Sequence, residues 1–292
     1  MGGSEMSKPL VNHALILDAD YLVYQAMSAA EIETQWSDDV WTLECDHVKA
    51  WDILIGSVQT IVAKRKAWAT SKIVMCFTDE NNWRKDVLPT YKANRKATRK
   101  PTGYRAFVNK VMQYPEWESF LRPNLEGDDC MGILGTRPSL VGAKTSTLVS
   151  CDKDFNTIPC EFFWLTTGEI KTITEEDADR WHMLQTIMGD VTDGYSGIKG
   201  MGKDTALAFL EEPYKFVQVE KTFKSGARKG QTVMEWKKVE KEPEDSLWDC
   251  MVTLAAKADM TEEDLLKQAQ VARILRASDY DFKNKEPILW KP

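Results

Sequence analysis

Three short apolar runs, each closing on acids, constrain this chain most: "HALILDAD" (13–20), "KIVMCFTD" (72–79) and "STLVSCDKD" (146–154). An apolar run without polar alternation marks a strand covered on both faces. Between the runs, apolar residues recur at helical spacing over 42–68, which ends in the basic turn "AKRKAW", and over 103–114. Strands alternating with helices predict an α/β fold with a mostly parallel central sheet flanked by helices. In such sheets, sites open beyond the carboxyl ends of the strands. Asp18, Asp79 and Asp152 stand at those ends, so adjacent strands would bring them to one crevice. The stretch "LEGDDCMG" (125–132) reads as a helix start whose dipole favours acids. It adds Glu126, Asp128 and Asp129, with Glu126 and Asp129 sharing a face at i and i+3.

The rest of the chain orders around this core. "CEFFWLTT" and "EIKTIT" predict a strand pair about Gly168, and "EEDADRWHMLQTIM" a helix. Beyond residue 214 the pattern weakens to a strand in "QTVMEWKKVE" and helices over 245–257 and 262–275. The expected organisation is an unstructured leader (1–10), an α/β core (11–188) carrying a basic segment (83–115), and a Gly-rich and helical region (189–292). No apolar run reaches the roughly 18–20 residues of a membrane span, so no membrane partner is expected.

Like charges crowded at strand ends need a cation among them. The six cysteines form no CxxC pair and there are three scattered histidines, so zinc spacing is absent and free thiols are expected. Oxygen donors without His or Cys point to Mg²⁺, Mn²⁺ or Ca²⁺. Two such ions about 3.5–4 Å apart are a device for phosphodiester cleavage that needs no histidine base. Any one of these acids alone reads equally well as a solvated strand end or helix cap. Six of them at three strand ends and one helix start favour the metal reading.

The net charge of −7 argues against a polyanionic partner, but the distribution reverses this. From Arg84 to Arg105 there are eight Lys or Arg residues and one acid. Arg84, Lys85, Lys92, Arg95, Lys96, Arg99 and Lys100 can neutralise phosphates, and Trp83, Tyr91 and Tyr104 offer faces for base stacking. "GIKGMGKD" matches G-x-x-x-x-G-K, but Asp204 replaces the Ser or Thr of a P-loop, and no apolar strand precedes it. Gly197, Gly200 and Gly202 with Lys203 fit a tight turn between helices, which can present backbone N–H groups to a DNA phosphate. A purely structural turn is the alternative there.

In sequence order, "ILDAD", "FTDENNWRKDVLPTYKANRK", "LEGDD", "SCDKDF" and "GDVTDGYSGIKGMG" resemble the structure-specific 5′-nuclease family. That family includes flap endonucleases and the 5′-nuclease domain of bacterial DNA polymerase I. The likeness is greatest to the 5′→3′ exonucleases of short-tailed T-odd coliphages, and through "LWDC", "AKADMTEEDLLKQAQVARILR" and "LWKP" it spans nearly the whole chain. The resemblance implies that Asp18, Asp79, Glu126, Asp128, Asp129, Asp152, Asp154, Asp190 and Asp193 are metal-site acids. It implies two Mg²⁺ ions, replaceable by Mn²⁺. It further implies that Lys92 and Arg95 reach the scissile phosphate, with Tyr91 by the terminal base. Arg84 and the run to Lys100 correspond to a helical arch passing a 5′ single strand. "GIKGMG" corresponds to a helix-hairpin-helix that grips duplex backbone and in relatives holds K⁺. Asp20 matches no motif position and reads as a cap or supporting group.

The expected activity is Mg²⁺-dependent 5′→3′ exonuclease and 5′-flap endonuclease cleavage of DNA, and of RNA in RNA–DNA hybrids. The implied setting is phage replication, primer removal or recombination, by a monomer in the cytoplasm of an infected bacterium. The rivals are a non-catalytic DNA-end-binding protein and a different metallonuclease of the small acidic-site RNase type. The second would lack the basic arch and the hairpin turn.

Overall fold

In a computed structural model of the protein, residues 10–95 and 99–292 are described. The expected leader, apart from Leu10, and the phosphate-contact reading of Lys96 lie outside them. The chain divides into two compact units, 1–83 with 97–178 and 274–288, and 84–96 with 179–273 and 289–292.

In chain order the first part runs β1 (Val11–Asp18), α1 (Ala19–Ala30), β2 (Glu31–Ser37), β3 (Val40–Cys45), α2 (His47–Ala63) and β4 (Lys72–Cys76). It continues with α3 (Arg84–Val87), α4 (Tyr104–Met112), β5 (Glu118–Phe120), α5 (Gly127–Thr136), β6 (Ala143–Ser150), β7 (Cys160–Trp164) and β8 (Ile170–Ile173). Then come α6 (Glu175–Met188), α7 (Lys203–Glu211), β9 (Tyr214–Thr222), β10 (Thr232–Glu240), α8 (Leu247–Lys257) and α9 (Glu262–Ala272).

The first unit is built on a six-stranded sheet of order β5-β4-β1-β6-β7-β8, parallel except for β8. The three apolar runs lie side by side at its centre. Ala14, Leu15, Ile16 and Leu17 of β1 are fully buried, as the lack of polar alternation requires. One face is covered by α1, α2 and α4, whose Val23, Leu54 and Phe107 pack with Leu15, Leu17, Met75 and Val149 of the sheet. On the other side lies α5, in contact with β1, β4, β6 and β7. Its Gly132 permits close approach: a Cβ there would sit 2.4 Å from the Leu275 carbonyl oxygen. All six cysteines are free.

Register decides what reaches the carboxyl edge. Asp18 pairs with Cys76 of β4, and Leu17 with Val149 of β6, so Ser150 comes level with Asp18. The first apolar run ends on its aspartate. The other two strands stop short, at Cys76 and Ser150, and leave Asp79 and Asp152 in the following turns.

The second unit packs α7, α8, α9 and the second part of α6 around Leu184, Ile187, Phe209, Met251, Leu254 and Leu265, with a two-stranded ribbon, β9–β10, rooted on this core by Phe216. A loop, 189–202, joins α6 to α7. Two ribbons were not expected whole. β2 falls where no element was expected, the end of β3 overlaps the start of the stretch read as helix, and the true start of α2 is fixed by Asp46, which accepts from the Val48 and Lys49 N–H groups. β9, the partner of the expected strand β10, is new. Among the described residues no helix is long and apolar enough to cross a membrane.

Candidate active site

At the carboxyl end of the sheet Asp18 caps α1, accepting from the Tyr21 N–H at 3.0 Å, while Ser150 donates its hydroxyl to Oδ2 at 2.9 Å. Desolvation pushes the Asp18 carboxyl up to about 6, and the charges of Asp20 and Asp152 push the same way against those two hydrogen bonds. Asp20 is raised too, first by burial, and its Oδ2 accepts from the Thr78 N–H at 2.9 Å. It thus braces α1 against the turn after β4. Asp152 caps a short 3₁₀ turn by accepting from the Asp154 N–H at 2.8 Å, and Asp154 lies 3.9 Å from the Lys153 ammonium. Asp79 accepts from the Asn124 N–H at 2.8 Å. Glu126, 8% exposed, caps α5, and Asp128 is half-buried in its first turn.

Asp129 departs from the sequence reading. It is fully buried, and its oxygens accept from Trp83 Nε1 (3.1 Å), the Glu126 N–H (3.3 Å) and the Leu275 N–H (3.1 Å). These bonds tie α5 to Trp83 and to the backbone at Leu275. Trp83 is buried with it, so it offers no face for base stacking.

Does this set suit a metal ion? The donors are all oxygen, which fits a hard divalent cation. Asp18 ionises against its own desolvation and two neighbouring carboxylates, a conflict that a cation would resolve. Among the described residues, however, no three His, Cys, Asp or Glu side chains are gathered closely enough to form a finished cage. The chemistry fits a metal; the carboxylates stand within electrostatic reach of one another without converging on one point.

The second unit holds Asp190 and Asp193 together with the basic turn. Asp190 accepts from the N–H and hydroxyl of Thr192. Asp193 collects three of the expected catalytic side chains. Tyr91 donates its phenol to Oδ2 at 3.1 Å, the Lys92 ammonium lies 3.9 Å away, and the Arg95 guanidinium pairs with Oδ1. Backbone contacts pin the same turn: the Lys92 N–H donates to the Asp193 carbonyl at 2.7 Å, and Arg95 Nε to that of Thr192 at 3.1 Å. Lys92 adopts φ 54°, a left-handed conformation uncommon outside glycine. Tyr91 is 3% exposed, so its ring is an internal support and not a platform for a terminal base.

Arg84 is a further correction. At 2% exposure it donates from Nε to the Val271 carbonyl (2.9 Å) and from Nη2 to that of Arg273 (2.7 Å). It ties α3 to the end of α9 from a buried position, where the sequence reading expects an exposed cation. Lys85, Arg95, Arg99 and Lys100 are exposed. Arg99 pairs with Glu31 at 2.5 Å, which holds the Glu31 carboxyl down to about 2. Tyr104 remains partly exposed under the Lys100 ammonium, 4.3 Å from its ring centre.

In the glycine loop, Gly197 is buried, and its N–H donates to Gln268 Oε1 at 2.6 Å, so it has no donor left for a phosphate. At Gly200, whose φ is 87°, no atom lies within 4 Å of the place a Cβ would occupy, and Gly202 caps α7 just before Lys203. These three are exposed. Ser150, Thr78 and Gln268, which orient the acids and the loop, carried no signal in the sequence because their partners are 58 to 132 positions away.

Known proteins share this architecture and much of its sequence. A family model described as 5′-3′ exonuclease, N-terminal resolvase-like domain, matches residues 13–180. An exonuclease of Escherichia phage T7 is 51% identical over 280 residues, 95% of this chain and 93% of the relative. An exodeoxyribonuclease of Enterobacteria phage T3 is 50% identical over 280 residues, 95% of this chain and 92% of the relative. Among solved structures, a bacteriophage T5 flap endonuclease in a pseudo-enzyme–product complex with DNA and metal ions superposes with a TM-score of 0.52 over 89% of each chain. At 16% identity that likeness speaks for the fold alone. The chain belongs to the 5′-3′ exonuclease family, and it is an enzyme of the 5′→3′ nuclease class.

Proposed function

We propose that this chain hydrolyses phosphodiester bonds of DNA from the 5′ end, as an exonuclease and on 5′ flaps, and acts likewise on RNA in RNA–DNA hybrids. It works as a monomer during phage DNA replication, primer removal or recombination in the infected host. Support comes from the T7 and T3 relatives, which are named exonucleases, and from the T5 neighbour, which holds DNA and metal ions. The observation that carries the reading is Asp18, raised to about 6 at the central strand end beside Asp20 and Asp152. A buried strand-end carboxylate crowded by two other acids is a candidate metal ligand for such a phosphodiesterase.

Two divalent ions, Mg²⁺ or in its place Mn²⁺, would activate water and offset charge on the phosphate. Asp18, Asp128, Asp152 and Asp154 are proposed to hold them, with Asp79 and Glu126 contributing; Asp190 and Asp193, within the second unit, are proposed as metal-site acids by the same family resemblance. Ser150 keeps Asp18 oriented. Lys92 and Arg95 neutralise the scissile phosphate; both now lean on Asp193, which an incoming phosphate would displace as their anion. Gly200, Gly202 and Lys203 approach duplex backbone, and K⁺ at this loop belongs to the same proposal. The test is a 5′-labelled flap substrate incubated with Mg²⁺ and with EDTA. Release of 5′ products only with Mg²⁺ is expected; equal release in EDTA, or none in either, contradicts the reading.

A further inference from the structure

The β9–β10 ribbon carries charge that the candidate active site does not use. From Lys221 to Met234 there are four cations, Lys221, Lys224, Arg228 and Lys229, and no acid, in a chain of net charge −7. Lys221 pairs with Glu235 at 2.6 Å. Lys224, Arg228 and Lys229 are exposed and make no ion pair among the described residues.

The ribbon is built to hold them in place. At its root Phe216 is 8% exposed, its N–H donates to Thr253 Oγ1 at 3.0 Å, and Lys215 pairs with Asp245 at 2.8 Å. Nine paired positions run from Tyr214–Glu240 to Thr222–Thr232. At ~3.3 Å per residue this places the tip roughly 25–30 Å from the root. The tip itself is ordered by hydrogen bonds, Gly230 N–H to the Phe223 carbonyl (2.8 Å) and Gln231 N–H to that of Arg228 (2.9 Å), with Gly226 and Gly230 at positive φ.

Lysines on open strand edges commonly guard against edge-to-edge pairing. That purpose would place them along β9 and β10, where Lys221, Lys237 and Lys238 already serve. It does not account for three cations in the turn, which has no edge to protect.

We propose that the ribbon tip is a second contact with the phosphate backbone of duplex DNA, made by Lys224, Arg228 and Lys229. This rests on the nuclease reading for its choice of polyanion. A two-stranded ribbon has the width of the major groove, and its tip cations reach the phosphates flanking it. The tip offers no exposed ring for base stacking, since Phe223 is half-buried with Arg228 5.6 Å above it. Duplex is therefore preferred over single strand. The contact positions the substrate and reads no sequence.

The test compares the full chain with Lys224→Ala/Arg228→Ala/Lys229→Ala, and with Lys64→Ala/Lys66→Ala/Lys283→Ala as an equal charge change elsewhere. Anisotropy is measured in EDTA across KCl concentrations, on a duplex several turns long and on a single strand of the same length. The tip variant should bind duplex roughly tenfold more weakly, with a log–log salt slope shallower by about 2–3, since each phosphate contact contributes about 0.9. Single-strand affinity and the control variant should match wild type. An unchanged slope, an equal loss in the control, or a larger loss on single strand overturns the proposal. Because binding is read without Mg²⁺, it decides the ribbon whatever the cleavage assay shows. Failure of wild type to cut a 5′ end in Mg²⁺ would instead count against the nuclease reading.

Discussion

Ser150 of β6 donates its hydroxyl to Oδ2 of Asp18 at the end of β1, at 2.9 Å, and so favours the ionised carboxylate where burial disfavours it. Ser150→Ala removes that donor. If Asp18 must be ionised for turnover, the acid limb of the single-turnover rate profile should move up by about one to two pH units, the equivalent of one hydrogen bond to a charge. The rate at high pH should stay near wild type. An unmoved acid limb would show that ionisation of Asp18 does not gate the reaction.

Asp18 also makes a signed prediction for stability. Its carboxyl sits at about 6 in the folded chain against 3.8 as a reference, so below 3.8 it is protonated in both states and adds no penalty. As pH rises through this window the folded state binds more protons than the unfolded one, and stability falls, with the full loss present above about 6. Asp18→Asn keeps a capping oxygen but cannot ionise. In EDTA its melting temperature should gain on wild type between about pH 4 and pH 6 and hold the gain above that. Glu31, Asp245 and Asp249, whose carboxyls are held low, tilt both proteins the other way and cancel in the difference. Mg²⁺ should then favour wild type, by about 2.7 kcal/mol at a hundred times Kd, more than the variant. A variant that melts lower at every pH would mark Asp18 as a structural cap.

Lys92 combines a left-handed backbone with a charge beside Asp193, and the two can be separated. Lys92→Ala should slow single-turnover cleavage at least roughly tenfold. Lys92→Gly should be equally slow yet more stable than the alanine variant by about 1 kcal/mol, because glycine adopts positive φ without penalty. Recovery of rate in the glycine variant would assign the role to the backbone and not to the ammonium.

Two glycines of the 189–202 loop should behave differently. A Cβ at Gly197 would lie 2.3 Å from the Met188 carbonyl carbon, and its φ is 66°. Gly197→Ala should therefore destabilise by about 2–4 kcal/mol in denaturant titration. Gly200 has only its φ of 87° to oppose a side chain. Gly200→Ala should lose about 1 kcal/mol of stability, with duplex affinity falling beyond what that predicts. Equal stability losses would mean that the loop has no exposed, DNA-facing side.

The central sheet was legible because β1, β4 and β6 are covered on both faces, and full burial writes an uninterrupted apolar run. The strand-end acids were legible for the same reason, since a run that stops on a carboxylate marks where the sheet opens. The ribbons β2–β3 and β9–β10 are largely exposed on both sides, with Trp36 70% and Met234 55% exposed, so burial imposes no period on them. Residues whose place depends on distant partners were misread. Arg84 sits in a charge run like its neighbours, yet the carbonyls of Val271 and Arg273 take it inside. Tyr91 and Trp83 look like stacking faces beside cations until their hydrogen bonds to Asp193 and Asp129 bury them. Gly197 looks like Gly200 until Gln268 claims its N–H.

The most direct test of the account is single-turnover cleavage of a 5′-labelled duplex in Mg²⁺ by wild type, Asp18→Asn and Asp152→Asn, with DNA affinity measured separately in Ca²⁺. If the strand-end carboxylates hold the metal that cuts DNA, both variants should lose at least roughly a thousandfold in rate, about 4 kcal/mol of transition-state stabilisation, while binding DNA within a few fold of wild type. Wild-type cleavage by either variant would contradict the claim that the carboxyl end of this sheet is the catalytic site.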